Sequence, residues 1–62
     1  MPYVEIKLAG KVTVEQKQQI AAEIAKTLKT IAGKPEKSTY IVFQEIDREN
    51  WAVGPHLLSE SS

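Results

Sequence analysis

The sequence predicts an α/β fold, a short βαβ unit with parallel strands plus a C-terminal hairpin, whose sheets are completed by oligomerisation. Three observations predict it. Residues 2–8 alternate between apolar and polar, the residues from Ile20 to Ala32 place apolar side chains at three- and four-residue steps, and residues 38–46 form a β-branched and aromatic run. Strand, helix and strand with short connections make a crossover that is almost always right-handed, and its strands are then parallel.

In the opening stretch MPYVEIKL, Val4, Ile6 and Leu8 point to one face, and Tyr3, Glu5 and Lys7 point to the other. Gly10 breaks this strand. Thr13 followed three residues later by Gln16 is the signature of a capping box at a helix start. Ile20, Ala21, Ile24, Ala25, Leu28, Ile31 and Ala32 then form one apolar stripe along a helix of about five turns. Lys17, Gln18, Lys26 and Lys29 are expected on the opposite, solvated face. Gly33 and Pro35 supply the stop. In the second strand, STYIVFQEI, the unbroken run Tyr40, Ile41, Val42 and Phe43 predicts burial on both faces.

One helix covers one face of two strands, so a lone protomer leaves the other sheet face in water, and an apolar patch of that kind marks an interface. The last stretch, DRENWAVGPHLLSESS, has turn chemistry at residues 47–50 and at Gly54 and Pro55. These turns flank the short apolar segment Trp51, Ala52 and Val53, which reads as a small hairpin or arm reaching for a neighbour. The polar, serine-rich tail beyond it is expected to fray.

Composition narrows the function classes. The 62 residues make a single domain, 1–62, and a chain of roughly 60 residues buries only about 60% of the surface it exposes when unfolded. Small folds recover stability through disulfides, a metal or oligomerisation. Cysteine is absent and His56 is the only histidine, so disulfides are excluded and a Cys/His zinc has no ligand set. Self-association remains. Eight basic residues balance eight acidic ones, which gives no footprint for nucleic acid. No apolar run approaches the length of a membrane span, and residues 1–10 lack a signal-peptide pattern. The expectation is a cytoplasmic homo-oligomer.

Pro2 has two readings. At the mouth of a strand its missing N–H costs nothing, so it can be simple punctuation. Initiator methionine is usually removed ahead of a small residue, however, and removal of Met1 would turn the Pro2 nitrogen from an amide into a secondary amine, a base.

The chain resembles the 4-oxalocrotonate tautomerase family in the stretches MPYVEIKL, AGKVTVEQKQQI, STYIVFQEI and WAVGPHLLSE, in that order and across essentially its whole length. The resemblance implies an isomerase that moves a proton between oxygen and carbon of a small 2-hydroxydienoate or phenylpyruvate-like 2-oxo acid. It needs no cofactor and no metal. Pro2 matches the family's catalytic base and acid, and an amine depressed by apolar surroundings and nearby cations is a neutral base at pH 7. The family's two substrate-binding arginines are replaced: Lys11 follows Gly10 at the first position, and Tyr40 stands at the second. Lysine keeps the charge without the planar fork, and tyrosine keeps only a hydroxyl donor. A smaller or singly charged acid is therefore expected in place of one with two carboxylates. Trp51 matches the family's pocket aromatic. The groups come from different subunits in that family, so the expected assembly is a hexamer built as a trimer of dimers.

Each residue also has a plainer reading. Lys11 can be a solvated lysine at a turn, and Tyr40 a packed strand aromatic whose hydroxyl finds a polar partner. Arg48, the only arginine, can be a surface charge, or it can replace a missing arginine if its turn folds over the pocket. Trp51 can be an interface anchor as well as a pocket wall. Glu5 and Glu45 read as strand carboxylates paired across subunits. Two further functions compete with the tautomerase: a dehalogenase or decarboxylase of the same superfamily, for which Glu49 is the available carboxylate, and a non-catalytic oligomeric scaffold.

Overall fold

The computed structural model describes residues 1–60; Ser61 and Ser62, the end of the tail expected to fray, lie outside the described residues. Strand β1 (Tyr3–Ala9) leads through a short turn into helix α1 (Val14–Ala32), and β2 (Tyr40–Ile46) returns beside β1. The two strands are parallel, with Tyr3 opposite Tyr40, Ile6 opposite Phe43 and Ala9 opposite Ile46. The predicted βαβ unit is therefore present. The C-terminal hairpin is present too: β3 (Ala52–Val53) pairs antiparallel with β4 (His56–Leu57) across the two-residue loop Gly54–Pro55.

Local chemistry sets the ends of α1. The Thr13 hydroxyl accepts the Gln16 N–H at 3.1 Å, and the Gln16 side chain accepts the Thr13 N–H at 2.8 Å, so the capping box is complete. At the other end Gly33 takes a left-handed conformation, φ 68°, in which a side chain would be strained. From there its N–H reaches the Lys29 carbonyl at 3.1 Å, and the Lys34 N–H reaches that of Leu28 at 3.2 Å.

The second strand begins later than its sequence suggests. Ser38 and Thr39, read as strand residues, belong to a 3-10 turn (Glu36–Ser38) and its cap. Their hydroxyls both donate to the Pro35 carbonyl, at 3.1 and 3.0 Å, a local alternative to the sheet ladder that β-propensity alone does not register. A second 3-10 turn (Arg48–Asn50) stands where residues 47–50 predicted a turn.

Val4, Ile6 and Leu8 on β1 and Ile41 and Phe43 on β2 are half-buried, and so are Ile20, Ala21, Ile24, Ala25 and Leu28 on α1. Grooves along the helix flanks are lined jointly by Val4 with Ile24 and Leu28, and by Ile41 with Ala21 and Ala25. The helix therefore lies over this face. Its stripe ends sooner than predicted, since Ile31 is 81% exposed and Ala32 is exposed as well. Nineteen residues of helix span roughly 28 Å, whereas seven residues of strand span roughly 23 Å. The last turn overhangs the sheet.

On the far face nothing covers Tyr3, Glu5 and Lys7, nor Tyr40, Val42 and Gln44 beside them. The expectation that β2 is buried on both faces is thus not met within one chain: Tyr40 is 56% exposed and Val42 43%. No described residue is fully buried. The accessible surface is 4935 Å², against about 4,000 Å² for a compact monomer of this mass. The radius of gyration is 14.7 Å, against about 11 Å for a compact chain of this length.

If neighbouring copies complete the sheet, as the sequence predicts, stability is tied to protein concentration. The melting temperature, followed by circular dichroism, is expected to fall on about hundredfold dilution. A melting temperature independent of concentration would show that one chain folds alone.

Candidate active site

The residues that carry chemistry sort to the two ends of the sheet. Pro2 is half-buried immediately before β1, and its carbonyl accepts the Tyr40 N–H at 2.9 Å. Pro2 and Tyr40 are thus neighbours, with the Tyr3 and Tyr40 side chains starting from paired positions on the open face. Lys11 lies beyond the other end of β1. Eight residues separate Pro2 from Lys11, and the seven of them in β1 span roughly 23 Å.

Arg48 and Trp51 follow β2 and so lie at the end that carries Lys11. The Arg48 guanidinium donates through Nη2 to the Leu58 carbonyl at 3.1 Å. Trp51 is half-buried, and its carbonyl accepts the Leu58 N–H at 2.8 Å. Downstream, the Glu60 carboxylate accepts the Leu57 N–H at 2.7 Å and lies 3.5 Å from His56 Nδ1. The arm from Arg48 to Glu60 is therefore a local structure of its own, with both the arginine and the tryptophan engaged in it. Glu49 is exposed in the same turn as Arg48.

One chain consequently brings Pro2 to Tyr40 and Arg48 to Trp51, but it does not bring the first pair to the second or to Lys11. The grooves flanking the helix are lined by none of these five residues. Any pocket that uses both ends has to be assembled between chains. Among the described residues, no three His, Cys, Asp or Glu side chains gather as a metal-ligand set, and no helix is long and apolar enough to cross a membrane.

Two residues stand differently from their reading in the sequence. Glu45, read as a cross-subunit partner, is satisfied inside its own chain: its carboxylate accepts the Val12 N–H at 2.9 Å and meets Lys17 Nζ at 3.2 Å. Lys17, placed on the solvated helix face, is half-buried against it. The signal was available. Glu45 shares the face of Ile41 and Phe43 by strand alternation, and Lys17 stands three and four residues before Ile20 and Ala21 on the apolar stripe. Opposite charges on two facing apolar surfaces point to a pair.

The Val12 hydrogen bond first, then the Lys17 ammonium, hold the Glu45 carboxyl below the ordinary glutamate value; partial burial opposes the shift, and Lys11 adds a smaller attraction.

Comparison with known proteins is consistent along the chain. A family model described as tautomerase enzyme matches residues 2–61. Probable tautomerase K2 of Dickeya dadantii (strain 3937) is 33% identical over 61 residues, covering 97% of this chain and 91% of the relative. The crystal structure of YwhB, a homologue of 4-oxalocrotonate tautomerase, has a TM-score of 0.90 at 26% identity over 98% of this chain and 100% of the other. A heterohexamer 4-oxalocrotonate tautomerase from Chloroflexus aurantiacus J-10-fl contains a chain with a TM-score of 0.88 at 21% identity, over 100% of both chains. That last likeness is one of fold.

The lowered Glu45 value has a pH consequence. A carboxyl that is more acidic in the folded state contributes stability above its unfolded value, and that stability is lost as pH falls through the folded one. Urea unfolding across an acidic pH series is expected to show this loss in the native protein and a shallower one in Glu45→Gln, whose side chain does not ionise. Identical acid limbs would exclude Glu45 as the source.

Proposed function

The chain belongs to the tautomerase family, and on that premise we propose that it is an isomerase moving a proton between oxygen and carbon of a small enol acid, with Pro2 as base and acid. One observation carries the proposal: the family match begins at Pro2 and runs through the chain. Pro2 stands ahead of β1 with its carbonyl tied to β2, so its ring is held at the edge of the sheet. Met1, which keeps the Pro2 nitrogen an amide while attached, is 85% exposed and open to removal.

With Met1 removed, the chemistry follows from the residues. The neutral amine takes the enol hydroxyl proton, the oxygen's electrons form the carbonyl, and the displaced carbon–carbon π pair takes a proton at carbon. The ammonium formed in the first step supplies that proton, so the amine ends as it began. Such proton transfer contributes about 10²–10⁴-fold to rate. Apolar surroundings and cations both keep the amine neutral near pH 7. Lys11 of a neighbouring subunit supplies one such cation and holds the substrate carboxylate. Tyr40 stands beside Pro2 and offers a hydroxyl donor.

Trp51 walls the pocket with apolar surface, and Arg48 presents its remaining donors at the same end as Lys11. Lysine and tyrosine at the two positions favour a substrate with one carboxylate, a 2-hydroxydienoate or a phenylpyruvate-like enol, and no cofactor takes part. The length of β1 between Pro2 and Lys11 in one chain, roughly 23 Å, and the uncovered sheet face both support a homo-oligomeric enzyme. A hexamer built as a trimer of dimers is the assembly we propose.

In Met1-processed protein, Pro2→Ala is expected to lower kcat for ketonisation of an enol such as that of phenylpyruvate by about 10²–10⁴-fold. Spectrophotometric decay of the enol measures this, and an unchanged rate would sink the proposal in favour of a scaffold. Lys11→Ala is expected to raise KM about tenfold, the worth of one charge-assisted contact, while Lys11→Arg restores or lowers it.

A further inference from the structure

Resting on the reading of Lys11 as the cation for substrate, we propose that Glu45 is a positioning residue for Lys11, holding its turn in place while Lys17 absorbs the carboxylate's charge. Three contacts support it. Gly10, before Lys11, donates its N–H to the Ile46 carbonyl at 2.9 Å, at φ 95°. Val12, after Lys11, donates its N–H to Glu45 Oε2 at 2.9 Å. The backbone on both sides of Lys11 is thereby tied to two consecutive residues at the end of β2, across 33 residues of sequence in the case of Val12.

The third contact concerns charge. Glu45 Oε1 meets Lys17 Nζ at 3.2 Å, with the two side chains 25% and 30% exposed. A lone carboxylate here would attract the Lys11 ammonium, whose backbone is one residue from the Val12 amide that Glu45 holds. Lys17 neutralises it from the helix. Among the described residues Lys11 has no ion pair of its own, and its side chain is exposed. The arrangement fixes the lysine's backbone and leaves its charge for a ligand. It offsets the missing planar fork, since a flexible four-carbon stem is best aimed by a rigid base.

The test is a kinetic cycle in the processed oligomer with the enol of phenylpyruvate as probe, comparing Lys11→Ala, Glu45→Ala, the double variant and Glu45→Gln. Glu45→Ala is expected to raise KM about tenfold with kcat within about twofold, the worth of one charged contact. The double variant is expected to match Lys11→Ala alone, because a positioning residue has nothing left to position. Glu45→Gln keeps an acceptor for Val12 and is expected to recover KM to within about twofold of the native value.

Amide hydrogen exchange adds a readout that needs no turnover. Val12 is expected to exchange faster in Glu45→Ala and not in Glu45→Gln. Equal Val12 exchange in the native protein and Glu45→Ala overturns the inference whatever the enzyme acts on, as do KM effects that multiply in the double variant. A merely structural role would lower stability while leaving KM unmoved. Failure of the tautomerase reading has a different sign, a full rate in Pro2→Ala, and leaves the cycle readable. Should Glu45→Ala fail to assemble, Lys17→Met serves: KM is expected to rise about tenfold as the freed carboxylate captures Lys11, and to fall back when Glu45→Gln is added. An unchanged KM in Lys17→Met overturns the inference.

Discussion

Two parallel strands beneath one helix leave half of their side chains with nothing from the same chain to pack against. That constraint shapes everything else in this protein. The helix-side residues Val4, Ile6, Leu8, Ile41 and Phe43 reach only partial burial, and the outward row from Tyr3 to Gln44 is open. Hydrophobic stabilisation scales with apolar area removed from water, so a chain that buries so little keeps its largest reserve for its neighbours. The outline is extended, 42 × 24 × 14 Å.

The same geometry governs the chemistry. A strand with Pro2 at one end and Lys11 at the other separates the proposed base from the proposed cation by roughly 23 Å, the length of β1. Assembly and catalysis therefore become one requirement in the proposed mechanism, because each pocket draws its base and its cation from different chains. Small size stops being a handicap under this arrangement. No single chain has to build a concave site, only to present a few side chains on rigid edges where another chain meets them.

Rigidity at those edges comes from polar contacts in place of a deep core. The capping box at Thr13 and Gln16 fixes where α1 starts. The Glu45 carboxylate ties that start to β2 by holding the Val12 amide, and Lys17 compensates its charge. A half-buried ion pair adds little stability by itself. Its value here is geometric, since it joins the end of a strand, the beginning of a helix and the turn between them, and Lys11 sits on that turn. The arm from Arg48 to Glu60 is held in a similar way, by the Leu58 carbonyl on Arg48 and by Glu60 on the Leu57 amide.

Much of the architecture was legible in the order of residues. Alternation in MPYVEIKL, the Thr13 and Gln16 spacing, the stop at Gly33 and the turn residues around Trp51 each encode a local backbone preference, and local preferences act through neighbours in sequence. What sequence spacing does not carry is distance across the fold. That Glu45 meets Val12 rather than a second subunit, that Lys17 turns inward, and that Ser38 and Thr39 cap a turn rather than open a strand depend on which groups the packed chain brings within hydrogen-bonding reach. Residue order alone specified the elements, their succession and the chemical types present, Pro2 above all. The packed fold added which residues keep company at each end: the parallel crossover sends both strands the same way, so Tyr40 lies beside Pro2 while Arg48 and Trp51 follow the end of β2 that lies beside the Lys11 end of β1.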